Sequence, residues 1–113
     1  MRYALLVCVD ENTELSEEDI ERQYAEFMGF QDEMEARGVL VSRERLRPTS
    51  LATTVRVRDH QALVADGPFA ETKEQIAGFY IIECEDLDEA IEIASRNPGA
   101  RYGTVEVRPV WGI

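Results

Sequence analysis

The pattern of apolar and polar positions predicts four main β-strands. Residues 2–9 and 76–84 are apolar at both odd and even positions, which is typical of strands buried on both faces. Residues 39–47 start apolar and turn basic, whereas residues 103–110 alternate between valines on one face and charged side chains on the other. All four segments are far shorter than the about 20 apolar residues of a membrane-spanning helix.

Two helices are predicted between these strands. Ser16 and Asp19 form a capping box for the first helix, which Gly38 is expected to end. Helical spacing predicts its inner stripe to be Ile20, Tyr24, Phe27, Met28, Gln31 and Met34. Asp86 begins the second helix with another capping box. The inner residues predicted for that helix are Leu87, Ala90, Ile91 and Ala94.

A β-hairpin is predicted between the second and third main strands. Residues 51–58 alternate, residues 59–61 form a tight connection, and residues 62–65 return, which leaves the hairpin with one polar face. The order of elements is therefore βαββαβ, an α+β ferredoxin-like fold with an extra β-hairpin and an antiparallel sheet. We expect residues 1–113 to form a single domain, because a chain of 113 residues is too short for a second independent core.

The doubly apolar strands have a consequence for assembly. Two helices cover only one face of the sheet, yet residues 2–9 and 76–84 are apolar on their second face too. Monomers avoid an exposed apolar patch of this kind. We therefore predict a homodimer in which two copies pack sheet to sheet, with a small-molecule pocket between the sheets.

Composition excludes several classes of partner. The chain has 12 Lys and Arg against 23 Asp and Glu, which gives a formal net charge of −11. This balance argues against direct binding to nucleic acid and against an anionic membrane surface. The N-terminal segment also lacks the longer apolar region of a signal peptide, so we expect a cytoplasmic protein.

The charge is unevenly distributed along the chain. Residues 10–37 carry a net charge of −9, whereas residues 38–65 carry +3. The five cations of the second segment are Arg43, Arg45, Arg47, Arg56 and Arg58. An acidic helix and a basic strand region can complement each other within one chain or across a dimer. The alternative is that both are solvated faces that keep the protein soluble.

The residues most often used for metal or nucleophilic chemistry form no recognisable motif. Cys8 and Cys84 are predicted at opposite ends of neighbouring strands, too far apart for a disulfide, and are interpreted as small buried hydrophobes. His60, the only histidine, falls in the hairpin turn and is expected to be dispensable. No metal-ligand spacing or glycine-rich phosphate loop occurs, so no metal and no cofactor are expected.

Residues 66–74 combine a turn, an aromatic side chain and four ionisable groups within nine residues. This signature loop reads Asp-Gly-Pro-Phe-Ala-Glu-Thr-Lys-Glu and contains the only lysine of the chain. Asp66 and Lys73 are the candidate catalytic residues, because a lysine can change its pKa on burial whereas an arginine stays charged. Candidate substrate contacts are Phe69, Glu71, Tyr80 and Arg108. The alternative is an ordered turn whose charges pair locally.

The signature loop, followed by Gly78-Phe79-Tyr80 and by residues 105–110, resembles the YCII-related proteins of the DGPF group. The resemblance implies a dimeric α/β barrel, built from two ferredoxin-like units packed sheet to sheet, in a bacterial cytoplasmic protein. Relatives carry a His–Asp pair proposed as an acid–base site, but no histidine lies on the first helix here. Only Asp66, as candidate acid, is therefore carried over.

Two functions follow as hypotheses. The first is a small-molecule enzyme in which Asp66 and Lys73 transfer protons without a cofactor while Arg108 holds an anionic substrate group. The second is a non-catalytic ligand-binding or accessory protein associated with sigma-factor-type transcriptional regulation. The resemblance implies this association, since DGPF-type proteins resemble those often encoded beside extracytoplasmic-function sigma factors.

Overall fold

A computed structural model describes residues 1–112 of the chain. The elements in chain order are β1 (Arg2–Val9), α1 (Glu17–Ala36), β2 (Leu40–Arg45), a 3-10 turn (Thr49–Leu51), β3 (Thr53–Arg58), β4 (Gln61–Asp66), β5 (Gln75–Glu83), α2 (Leu87–Arg96), α3 (Gly99–Tyr102) and β6 (Thr104–Pro109).

The main sheet has the strand order β2-β5-β1-β6, and all neighbouring strands are antiparallel. This arrangement, with α1 and α2 as the two crossover helices, confirms the predicted ferredoxin-like α+β fold. β3 and β4 pair only with each other and form the predicted extra hairpin. The four-stranded sheet is open at both edges, so a barrel requires a second copy.

The core lies between the sheet and the helices. Every second side chain of β1, namely Tyr3, Leu5 and Val7, is buried toward the helices. Met34 of α1 and Ile93 of α2 are fully buried against this layer. The other face of the sheet carries no helix, and we call it the open face.

Both helices begin where the sequence predicts, because local capping decides a helix start. The Ser16 side chain accepts from the Asp19 amide while the Asp19 carboxylate accepts from the Ser16 amide, which completes the capping box of α1. The Asp86 carboxylate accepts from the Glu89 amide and caps α2.

The predicted inner stripe of α1 is wrong in its first half. Met34 and Gln31 are buried as expected and Phe30 joins them, but Ile20 and Tyr24 are 52% and 59% exposed. Both side chains lie on the same side of the helix as Gln31, so the helical phase is right. The two side chains are exposed because no other element within residues 1–112 packs over the first turns of α1.

The inner face of α2 also differs from the prediction. Ala90 and Ala94 are buried as expected, whereas Leu87 and Ile91 are about half exposed and Ile93 takes the core position. After α2, the short helix α3 was not predicted. α3 forms at this point because the carboxamide oxygen of the buried Asn97 accepts a hydrogen bond of 2.8 Å from the Gly99 amide, which turns the chain.

The β3–β4 hairpin projects from the body, and we call residues 53–66 the arm. Its turn is formed by Asp59 and His60, both with positive φ (50° and 64°), which confirms the predicted place of His60. No residue of the arm is buried. The radius of gyration is 16.1 Å, whereas a compact chain of 100 residues has about 13 Å.

Within residues 1–112, no helix is both long enough and apolar enough to cross a membrane.

Candidate functional site

The signature loop is fixed at the end of the sheet where β1 ends. Gln75, the first residue after the loop, pairs with Val9 of β1. Its neighbour Glu74 reaches past β1 to the edge strand β6, where the Thr104 hydroxyl donates to the Glu74 carboxylate at 2.8 Å. The end of the loop therefore spans three strands.

A set of amide and hydroxyl contacts orders the second half of the loop. The Gln75 carboxamide oxygen accepts the Glu11 amide at 3.0 Å, and its nitrogen donates to the Thr72 carbonyl. The Thr72 hydroxyl donates to the Glu74 carbonyl at 2.7 Å. Gln75 thus ties the loop to the segment that follows β1.

A cleft of about 590 Å³ opens between three connections at this end of the molecule. Its walls come from the β1–α1 connection, the 3-10 turn and the signature loop. The lining residues are Glu11, Asn12, Pro48, Thr49, Ser50, Gly67, Pro68, Ala70, Glu71, Thr72 and Gln75. The Glu11 carboxylate accepts hydrogen bonds from both the amide and the hydroxyl of Thr49, which holds two of the walls together.

The open face of the sheet has an apolar centre, and Glu74 lies at its border through the bond to Thr104. Residues paired across antiparallel strands point to the same face, so the register assigns its members. Leu6 pairs with Phe79 on one side and with Glu106 on the other, and Ala4 pairs with Ile81 and Arg108. Five apolar members are half-buried, namely Ala4, Leu6, Cys8, Phe79 and Ile81. A sixth, Ile76, pairs with Cys8 and is exposed.

Polar groups lie at both ends of this apolar face. Arg2 forms an ion pair with Glu83 at one end, and we call the other end, near Cys8, the polar end. Cys8 pairs with Thr104, and the carboxylates of Glu74 and Glu106 lie near its thiol. Partial burial, and then the negative charges of Glu106 and Glu74, raise the pKa of the Cys8 thiol. The thiol is therefore protonated at neutral pH and acts as a small apolar group rather than a nucleophile. Arg108 forms an ion pair with Glu106 on the same face.

Four of the six predicted site residues lie in or beside the signature loop, all of them exposed. Asp66 pairs with Thr53 at the base of the arm, and Glu71 lines the cleft. Phe69 is 79% exposed. Lys73 precedes Glu74 and forms no ion pair with any residue in the described range 1–112.

The other two predicted residues lie on opposite faces of the sheet. Arg108 is on the open face, opposite Ala4. Tyr80 faces the helices and packs edge-on against Phe30, with ring centroids 5.2 Å apart. Burial raises the pKa of Tyr80, against the opposing influence of Asn97 and Arg43. The structure therefore does not bring Tyr80 together with Arg108.

Sequence reasoning singled out Glu74 as a group beside Lys73 but missed the residues that anchor the loop, which are Gln75 and Thr104. Their individual types carry no signal, since glutamine and threonine are common on exposed strands. The strand register brings them together, and a β6 register shifted by one residue would turn Thr104 and Glu106 to the helix side.

The remaining expectations concern cysteines and metals. Cys8 and Cys84 are both free and lie at opposite ends of the β1–β5 pair, as predicted. Among residues 1–112, no three side chains of the His, Cys, Asp and Glu types are grouped as they would be around a metal ion.

Comparison with known proteins gives a consistent assignment. The family model of the YCII-related domain matches residues 1–113. The chain is also 41% identical over 114 residues to an uncharacterised protein of Rhizobium meliloti (strain 1021), a match that covers 97% of this chain and 92% of that protein. The chain therefore belongs to the YCII-related family.

Proposed function

We propose that the protein is a homodimer that closes over its open face and binds a small molecule in the cleft between the two sheets. The observation that carries this proposal is the composition of that face. Its apolar centre adjoins Glu74, Glu106 and Arg108 at one end, and the Glu44 carboxylate lies opposite Phe79. We propose that this space between the two sheets, rather than the cleft between the three connections, also supports proton transfer without a cofactor.

The apolar centre supports the dimer. Leu6, Phe79 and Ile81 are only half-buried in the chain alone, although they occupy the two central strands. Burying such side chains against a second copy contributes roughly 25 cal/mol per Å² of apolar surface. A symmetric contact between two open faces is the simplest arrangement that covers them.

The polar end of the open face supports ligand binding. Arg108 balances Glu106, but no ion pair within residues 1–112 balances Glu74. A second copy would screen these groups from water and strengthen their interaction with a ligand. The arrangement fits a small, partly apolar molecule with a cationic or hydrogen-bond-donating group directed at Glu74.

Proton transfer is the chemistry that this site would add to binding. Lys73 and Asp66 belong to the loop whose end Glu74 anchors, and both side chains are exposed and unpaired in the chain as described. Ammonium and carboxyl groups of this kind serve as general acids and bases when a ligand lies within hydrogen-bond reach.

Light scattering at micromolar concentration tests the dimer. The expected mass is twice the 12.9 kDa of the chain. Leu6→Glu should give monomers because it places a charge in the proposed contact, whereas Ile91→Glu, on the exposed side of α2, should leave the dimer intact. Circular dichroism checks that both variants fold. A monomeric wild-type protein would reject the proposal.

Three related probes test the ligand site: phenethylamine, phenylacetate and phenylalanine. In calorimetric titrations at pH 7, we expect the amine to bind about tenfold more tightly than the carboxylate, because of the unbalanced Glu74. Glu74→Gln should remove that preference, while Glu85→Gln, at the opposite end of the sheet, should retain it. A preference for phenylacetate, or no binding of any probe, would contradict the ligand chemistry.

A further inference from the structure

The arm presents an apolar surface that no other residue within 1–112 covers. Register assigns Val55, Val57 and Val64 to one face of the hairpin, where they are 60%, 61% and 66% exposed. An isolated two-stranded hairpin is at best marginally stable in water. The arm therefore has the properties of an element that is completed by another surface.

The charges of this region are unpaired as well. Every arginine outside residues 38–65 forms an ion pair within the described chain: Arg2, Arg22, Arg37, Arg96, Arg101 and Arg108. None of the five arginines inside that segment does so in residues 1–112. The arm residue Arg58 donates only to the carbonyl of its neighbour Val57, at 2.9 Å. The acidic helix does not neutralise the basic segment of its own chain.

A complementary surface exists on the first half of α1. Ile20 and Tyr24 are exposed there, although they lie on the helix side that points to the core further along. Glu17 and Glu21 flank them at helical spacing, on the same side. Both glutamates are exposed, and neither forms an ion pair within the described residues.

We propose that the arm of one copy docks on the first half of α1 of a second copy, with its valines on Ile20 and Tyr24. Arg56 and Arg58 then pair with Glu17 and Glu21. The register places Arg56 and Arg58 on the face of the arm opposite the valines. The two strands of the arm are only about 5 Å apart, so these long side chains bend around the edge of the ribbon to reach acids that rim the apolar contact. The proposal rests on the homodimer proposed above and adds a second, exchanged contact to it.

The docked arm would also position the signature loop. β4 ends at Asp66, the first residue of the loop, and the Gly67 amide donates to the Ala52 carbonyl at 2.7 Å. The Thr54 hydroxyl donates to the Gly67 carbonyl at 2.7 Å. Through these bonds, an arm held by the partner fixes the start of the loop, so the ligand site is completed only in the dimer.

A charge-swap experiment tests this contact. One variant carries Arg56→Glu and Arg58→Glu, and the other carries Glu17→Arg and Glu21→Arg. Each variant alone places like charges together in its own dimer, whereas a mixed dimer restores both exchanged contacts. Native mass spectrometry of the mixture should show the mixed dimer enriched about tenfold over the statistical ratio. Circular dichroism of each variant verifies the fold.

The matched control replaces the α1 variant with Glu85→Arg and Asp88→Arg, which changes the net charge equally but lies at the start of α2. That mixture should give the statistical ratio. Statistical mixing in both cases, with dimers present, would overturn the exchanged arm and leave the sheet-to-sheet dimer standing. Enrichment in both cases would also overturn it, since net charge alone would then explain the result.

Cleavage of the wild-type protein by trypsin gives a second measurement. Cleavage after Arg56 and Arg58 should slow at least about tenfold between nanomolar and micromolar protein, because docking buries the arm in the dimer only. A rate that does not depend on concentration, in a protein that light scattering shows to dimerise over this range, would mean that the arm is free or folds onto its own chain. Either result rejects the exchange.

Discussion

The Thr104 hydroxyl donates a hydrogen bond of 2.8 Å to the Glu74 carboxylate, and this bond joins the end of the signature loop to the edge strand β6. Thr104 is also the register partner of Cys8, so the bond lies at the polar end of the open face. A loop that would otherwise hang from β4 and β5 is thereby fixed to the sheet near both the cleft and the proposed dimer contact.

Removing the donor of that bond should loosen the loop. Thr104→Val is expected to lower the free energy of unfolding by about 0.5–1.5 kcal/mol, the usual contribution of one hydrogen bond. Amide hydrogen exchange in residues 70–75 should accelerate. Thr53→Val, at an exposed arm position whose hydroxyl has no hydrogen-bond partner in the described chain, serves as the control. Equal exchange in the two variants would show that Glu74 does not depend on Thr104.

The two candidate catalytic residues should affect binding more than folding. Lys73→Arg and Asp66→Asn each replace an exposed side chain and should leave the melting temperature unchanged. We expect each to weaken binding of phenethylamine at least tenfold, which is about 1.4 kcal/mol. The guanidinium is bulkier than the ammonium and cannot release a proton near neutral pH. Calorimetric titration measures the effect, with Arg47→Lys as the control. Normal binding by both variants would show that Asp66 and Lys73 have only a structural role in the loop.

His60 should be replaceable when the turn geometry is respected. Its φ of 64° lies in the left-handed region, which asparagine also tolerates. His60→Asn should change the free energy of unfolding by no more than about 0.5 kcal/mol. His60→Ala should cost about 1 kcal/mol through backbone strain. Chemical denaturation measures both, and a loss of ligand binding in His60→Asn would revive a histidine mechanism.

The contact between α1 and α3 should make stability depend on acid pH. The Tyr102 hydroxyl donates to the Glu26 carboxylate at 2.8 Å and Arg101 pairs with it; together they lower the pKa of Glu26. A carboxyl group whose pKa is lowered by folding stabilises the protein above its unfolded pKa, roughly 4.3 for glutamate, and loses that contribution as the pH falls through the folded value.

Urea denaturation from pH 7 downward tests this dependence. Glu26→Gln should be less stable than the wild type at pH 7, and the difference should shrink as the pH falls below about 4.3. Asp32→Asn, which removes an exposed carboxyl group in the middle of α1 that has no ion pair or hydrogen bond in the described chain, should follow the wild-type curve. A difference for Glu26→Gln that is constant with pH would show that the Tyr102 contact does not depend on ionisation.

The features that the sequence determined by itself are local or periodic. The capping box at Ser16, the helix N-cap at Asp86, the doubly apolar β1 and β5 and the turn at His60 follow from neighbouring residues, and each lies where it was predicted. At Asp86 the side-chain cap onto the Glu89 amide forms, without the reciprocal bond of a capping box. Together they were enough for the ferredoxin-like order of elements. The signature loop was likewise recognisable, because nine consecutive residues carry it.

Tertiary structure alone decided which apolar positions are covered and which polar groups meet. Ile20 and Tyr24 lie on the predicted side of the helix, but no other described element of the chain packs against them. The side of a helix depends on local spacing, whereas burial depends on which other elements pack there. Glu74 meets Thr104 across 30 residues of chain because the register of β1 and β6 turns Thr104 to the open face. Tyr80 and Arg108 were both candidate substrate contacts, yet strand alternation puts the two on opposite faces. A side chain's face depends on register, and register is fixed only when the strands pair.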